Sequence, residues 1–186
     1  MNRISIPTVE QSPTASKPLL AAVFNQLGVV PNLMKMVGNS PAALEGYLSL
    51  NGAVAKGVLD LPLRERLALA TAEFNGCDYC LAAHSYLGKN LAKLTDTDML
   101  AARGARSADA KTDAALSFAR RVLLARGHVT SADLEAVRVA GFGDTEIVEI
   151  VVNVALNLLT NYVNNVAQTE VDFPAMSAIG QATSSF

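Results

Sequence analysis

From Pro18 to Gln168 the apolar residues of this chain recur at intervals of three and four, and sustained two-residue alternation is nearly absent. That period matches a helical turn and not the pleat of a strand, so the spacing predicts α-helices nearly throughout. The punctuation agrees, with helix-starting and helix-stopping residues falling at the ends of the periodic segments. "PLLAAVFNQLG" ends at Gly28, "VPNLMKMVGN" enters through Pro31, and "SPAALEGYLSLNGAVAKG" has Ser40 as N-cap, Pro41 at the first helical position and Gly57 as a stop. "DLPLRERLALATAEFNG" starts near Asp60 and breaks at Gly76, and the next helix runs to about Asn90. "TDTDMLAARG" opens on a Thr95/Asp96 cap, "SADAKTDAALSFARRVLLARG" is long and amphipathic with Gly127 just past its end, and Thr130-x-x-Asp133 resembles a capping box. With 186 residues, 51% of them hydrophobic, the chain can bury one sizeable core. The expected class is all-α: one compact multi-helix domain over residues 18–174, after an extended leader at 1–17 and before a Ser/Thr-rich tail at 175–186 that is mobile unless a partner holds it.

The last helix, about Asp144 to Gln168, carries the run "IVEIVVNVALNLLTNYV", which has the composition of a membrane span. Glu149, Asn153, Asn157 and Asn161 interrupt it every four positions, and polar groups unsatisfied in lipid are costly, so a membrane role is rejected. The stripe winds slowly around an otherwise apolar rod. Such a rod is expected to be mostly covered, either as a central core helix whose amides bond to neighbours or as a subunit interface. Fifteen basic and 17 acidic residues are spread without a basic block, which excludes nucleic acid and anionic membrane as suggested partners. The N-terminal stretch is broken by Pro7, Pro13 and Pro18 and has no signal-type apolar core, so a cytoplasmic location is expected.

Chemistry concentrates in "EFNGCDYCLAAHSYLGKN", Glu73 to Asn90, which holds both cysteines of the chain and one of its two histidines. On a helix Cys77, Cys80 and His84 fall within a sector of roughly 60°, sharing one face. A break at Gly76 would leave both sulfurs in a first helical turn, where unpaired N–H groups and the helix dipole favour a thiolate at a wet, electropositive spot. Cys80 is the expected nucleophile because it lies four residues from His84, the candidate base, and Cys77 would resolve. Glu73, one turn before Cys77, and Glu65, two turns further back, are the carboxylates available to orient His84; Glu65 reads equally well as a solvated member of a charged turn. A zinc site is not expected, since the other soft ligand, His128, is isolated near a helix end. No cofactor is called for beyond an external dithiol that would reset a disulfide.

The stretch "RERLALATAEFNGCDYCLAAHS" resembles the carboxymuconolactone decarboxylase superfamily, and within it the alkylhydroperoxidase D-like, peroxidase-related branch. Its E-x(11)-C-x-x-C-x(3)-H pattern places Glu65, Cys77, Cys80 and His84 at matching positions, and "TNYVNNVAQTEVDFP" is similar to that branch as well. The resemblance implies a multi-helix alkylhydroperoxidase D-like domain and a homo-oligomer, trimer or hexamer. It implies hydroperoxide reduction at the expense of a dithiol, a lipoyl group or a thioredoxin-like protein. In this pattern the second cysteine attacks, the first resolves, and the histidine and distant glutamate relay protons. The best-characterised members place a histidine between the cysteines, whereas this chain has Tyr79 there. Two other readings remain: a thiol–disulfide switch without sustained turnover, and a cysteine-independent lyase on the same scaffold.

Overall fold

Helices begin where the sequence offers a side-chain oxygen to an unpaired N–H. Ser40, Asp60, Thr95, Asp109 and Thr130 each accept from a backbone N–H three residues on, and Thr95 with Asp98 and Thr130 with Asp133 form reciprocal capping boxes. The computed structural model describes residues 2–174, and among these it holds nine α-helices and no strand. They are α1 (Lys17–Leu27), α2 (Asn32–Val37), α3 (Pro41–Val54), α4 (Leu61–Phe74), α5 (Asp78–Asn90), α6 (Asp96–Arg103), α7 (Ala110–Ala125), α8 (Ser131–Val139) and α9 (Asp144–Ala167). The expectation for 175–186 lies outside the described residues.

The most enclosed element is α4. It packs against α5, α6, α7 and α9, and it buries Leu63, Leu67, Ala68, Leu69, Ala70, Thr71 and Ala72 in near-continuous succession. One core gathers α4, α6, α7, α8 and the first half of α9 around Leu67, Met99, Leu116 and Ile150, all at 0% exposure. Each such side chain contributes roughly 1.5–3 kcal/mol by leaving water. The second core joins α1, α2, α3 and α5, and it includes Cys77, Tyr79, Cys80 and Ala167. The sulfurs therefore lie where the two cores meet, between α4, α5 and α9.

The last helix is the core helix expected, with its polar stripe as the packed face and one apolar face left exposed. Its asparagines Asn153, Asn157, Asn161 and Asn164 face inward and are at most 6% exposed, while Val148, Tyr162 and Val166 stand 58 to 62% exposed. Burying the polar stripe is tolerated because Glu149 reaches N–H groups of another segment and two asparagines are satisfied on carbonyls one turn back in α9 itself. Glu149 accepts from the N–H groups of Val58 and Leu59 ahead of α4, Asn153 donates to the Glu149 carbonyl, and Asn157 donates to the Asn153 carbonyl. A Cβ at Gly57 would collide with the Glu149 carboxylate, so glycine at that turn permits the close approach. By length and composition α9 passes as a membrane span, with a mean hydropathy of 1.3, yet it packs on α3, α4, α5 and α7 as a core helix.

Candidate active site

The turn between α4 and α5 builds the sulfur pair. Gly76 adopts φ +59°, a left-handed conformation that glycine tolerates without strain, and the Cys77 N–H then donates to the Ala72 carbonyl at 3.0 Å. Cys77 becomes the N-cap of α5. Its sulfur accepts from the Cys80 N–H at 3.3 Å, in the place a serine or aspartate oxygen usually takes. Cys80 is thus held in the first turn of the helix and His84 one turn further, as the spacing predicts. From α4, 19 residues back in sequence, Glu65 meets His84: Oε2 lies 2.8 Å from Nδ1. Glu65 is 8% exposed, so its charge needs this partner, and the contact makes Glu65 a neighbour of the cluster rather than a solvated residue.

The charges reinforce one another. The Cys77 thiol donates a hydrogen bond to the Cys80 sulfur, which holds the Cys80 thiol well below the usual range. Burial works against this, and the His84 charge and the amide of Asn164 add to it. The same bond, with burial, pushes the Cys77 thiol up, so the pair divides into one thiolate and one proton donor. Burial alone would lower His84; the Glu65 carboxylate outweighs it, and the imidazole titrates above its ordinary value. Burial followed by the negative charges of Cys80 and Glu65 pushes the Tyr47 phenol of α3 up to about 12.

Two expectations need correcting. Glu73 does not join the site: its carboxylate turns to Arg103 of α6 at 2.6 Å. The sulfurs are not in a wet position either, with Cys77 at 0% and Cys80 at 3% exposure, because α9 and the segment after it cover the turn. His84 is the member that reaches solvent, with 22% of its side chain exposed. His128 sits exposed beyond the end of α7, away from this cluster. Tyr79 is a structural anchor: its hydroxyl accepts from the Leu33 N–H at 3.1 Å and donates to Asp172 at 2.8 Å, while Phe173 meets its ring edge-on at 5.6 Å. Burial raises its phenol further, so it is no proton carrier near neutrality. Two residues lie outside the cysteine motif altogether. Asn164 donates from Nδ2 to the Cys80 sulfur at 3.3 Å, and Asn161 lies beside it. The polar stripe was a signal for Asn161, with no hint of which partner it meets, and Asn164 fell outside the stripe's four-residue repeat.

Residues 41–125 match the Carboxymuconolactone decarboxylase family. No curated protein matches the chain. Solved structures that share the fold include the following three. An alkylhydroperoxidase AhpD core, an uncharacterized peroxidase-related protein from Ralstonia eutropha JMP134, is 24% identical over 92% of each chain with a TM-score of 0.82. An uncharacterized peroxidase-related protein from Silicibacter sp. TM1040 is 23% identical over 91% of each chain, TM-score 0.78. The debrominase Bmp8, as a cysteine-to-alanine variant in complex with 2,3,4-tribromopyrrole, is 18% identical over 86% of each chain, TM-score 0.72.

Proposed function

Because residues 41–125 carry the carboxymuconolactone decarboxylase family sequence on an alkylhydroperoxidase-type helical fold, we propose that this chain reduces hydroperoxides through its cysteine pair. The observation that carries the reading is the sulfur pair on one helical turn beside an imidazole fixed 2.8 Å from a buried carboxylate. The Cys80 thiolate attacks the terminal oxygen of R–O–OH. The O–O bond breaks, an S–O bond forms, and the departing RO⁻ takes a proton from the His84 imidazolium to leave as ROH. The Cys77 thiol then attacks the sulfenic sulfur of Cys80, giving the disulfide and water. A dithiol returns two electrons and two protons to restore both thiols. Glu65 keeps His84 oriented and charged, and the open side of His84 is the approach route for a small oxidant.

The exposed apolar face of α9, Val148, Tyr162 and Val166 among it, supports assembly of copies of this chain through that helix. A thiol–disulfide switch is the second reading, favoured by the burial of both sulfurs, which slows repeated exchange with a bulky reductant. The test follows consumption of hydroperoxide with a dithiol donor in the parent chain and in the Cys80→Ser, Cys77→Ser and His84→Ala variants. Steady turnover lost in Cys80→Ser, with a persistent one-oxygen adduct on Cys80 in Cys77→Ser, supports the enzyme. A single stoichiometric oxidation in the parent chain supports the switch, and undiminished turnover in Cys80→Ser ends both.

A further inference from the structure

Past the reacting sulfur, α9 carries two buried asparagines one turn apart. Asn161 is 0% exposed and Asn164 3%. Asn164 Nδ2 donates to the Cys80 sulfur at 3.3 Å. Asn161 is oriented from the other side: Asn75 Nδ2 donates to the Thr71 carbonyl at 2.8 Å and to Asn161 Oδ1 at 2.9 Å. Because Asn75 presents a donor there, the oxygen of Asn161 must face it and the Asn161 nitrogen must face away. Two atoms are left over. Asn161 Nδ2 and Asn164 Oδ1 are buried and have no hydrogen-bond partner among the described residues. Buried orphans are costly and rare, and these two are a donor and an acceptor on adjacent turns beside a nucleophile.

We propose that Asn161 and Asn164 form a polar hole around Cys80, in which Asn164 Nδ2 holds the thiolate while the unpartnered Asn161 Nδ2 and Asn164 Oδ1 receive the terminal O–OH of a hydroperoxide. The inference rests on the hydroperoxide reading for its second half only. The match is one of complementary chemistry. The hydroxyl of R–O–OH donates to Asn164 Oδ1, and the same oxygen accepts from Asn161 Nδ2, which presents the O–O bond to the sulfur. When S–O forms and O–O breaks, the hydroxyl hydrogen stays on the transferred oxygen. The product Cys80–SOH therefore keeps its donor bond to Asn164 while RO⁻ leaves with the proton from His84. The pair also accounts for the division of labour between two sulfurs one turn apart: the amide of Asn164 meets Cys80 and not Cys77.

The experiment uses the full chain in a Cys77→Ser background, so that one thiol is read. Alkylation of Cys80 by iodoacetamide across pH, followed by mass spectrometry, measures the thiolate without any peroxide. Asn164→Leu is expected to raise the midpoint by about one pH unit, a roughly tenfold loss of thiolate below the midpoint, with partial recovery in Asn164→Gln. Above the midpoint, formation of the Cys80 sulfenic acid from tert-butyl hydroperoxide is then timed. Asn161→Leu is expected to slow this step about tenfold while alkylation falls far less. Circular dichroism confirms that each variant is folded, and Asn164→Gln carries the test if Asn164→Leu is not. An unmoved midpoint in every Asn164 variant overturns the hole. Equal losses in both reactions overturn the substrate contact. A shifted midpoint in a chain that consumes no hydroperoxide supports the thiolate hole and overturns the substrate contact together with the proposed function.

Discussion

Replacing Glu65 by glutamine tests the electrostatics of the site most directly, because it removes a charge and leaves the shape. A glutamine oxygen can still accept from His84 Nδ1 across the 2.8 Å now spanned by the carboxylate. At that separation a unit pair is worth roughly 6 kcal/mol at an effective dielectric of about 20 and about 1.5 kcal/mol in bulk water. With 22% of the His84 side chain exposed and burial already opposing the charged ring, a fall in its midpoint of about 1–3 pH units is expected. In the parent chain His84 titrates above its ordinary ~6.5; in Glu65→Gln it should titrate below it. NMR of the imidazole Cε1–H across pH reads this cleanly, since the chain has two histidines and His128, exposed beyond α7, serves as an internal reference. Stability should follow with a definite sign. A folded midpoint above the unfolded ~6.5 means the contribution is fully present below that unfolded value and is lost as pH rises through the folded midpoint. Each pH unit that separates the two midpoints is worth about 1.4 kcal/mol. In Glu65→Gln the sign reverses, and stability is lost as pH falls. Superimposable His84 titrations in the two proteins would refute the pairing as the source of the imidazolium.

Three further outcomes are expected. Tyr79→Phe removes the hydroxyl that joins Leu33 and Asp172, so thermal melting should show a loss of about 1–3 kcal/mol, while the pH profile of peroxide turnover stays in place; a displaced profile would make Tyr79 a proton carrier after all. Glu149→Ala strips the carboxylate from the N–H groups of Val58 and Leu59, and denaturant unfolding should show a loss of about 1.5–3 kcal/mol, with Glu149→Gln losing less. Tyr162→Lys with Val166→Lys should convert an assembled protein to monomers in sedimentation without unfolding it, and a parent chain that sediments as a monomer refutes that interface.

The sequence was most informative where the physics is local. Ser40, Asp60, Thr95 and Thr130 start their helices, Gly28 and Gly127 follow helix ends, and the chain breaks at Gly76, though Cys77 caps the next helix where the spacing predicts it in the first turn. Each depends on bonds within a few residues, which spacing reveals directly. The shared face of Cys77, Cys80 and His84 is of the same kind. Glu73 shows the limit: one turn from Cys77 in sequence, it is drawn away by Arg103, a residue 30 positions on that no local rule connects to it.

Composition and period thus determined the helices, their ends and the clustering of sulfur and imidazole, because a helix fixes its own geometry through bonds that stay within it. Tertiary packing alone decided which carboxylate reaches His84, that Tyr79 is tied to Leu33 and Asp172, and that α9 turns Asn161 and Asn164 inward beside Cys80 while Val148 and Val166 face out. Those choices arise between segments far apart in the chain, where the partner a buried polar group finds depends on how whole helices dock, and no repeat of three or four can report that.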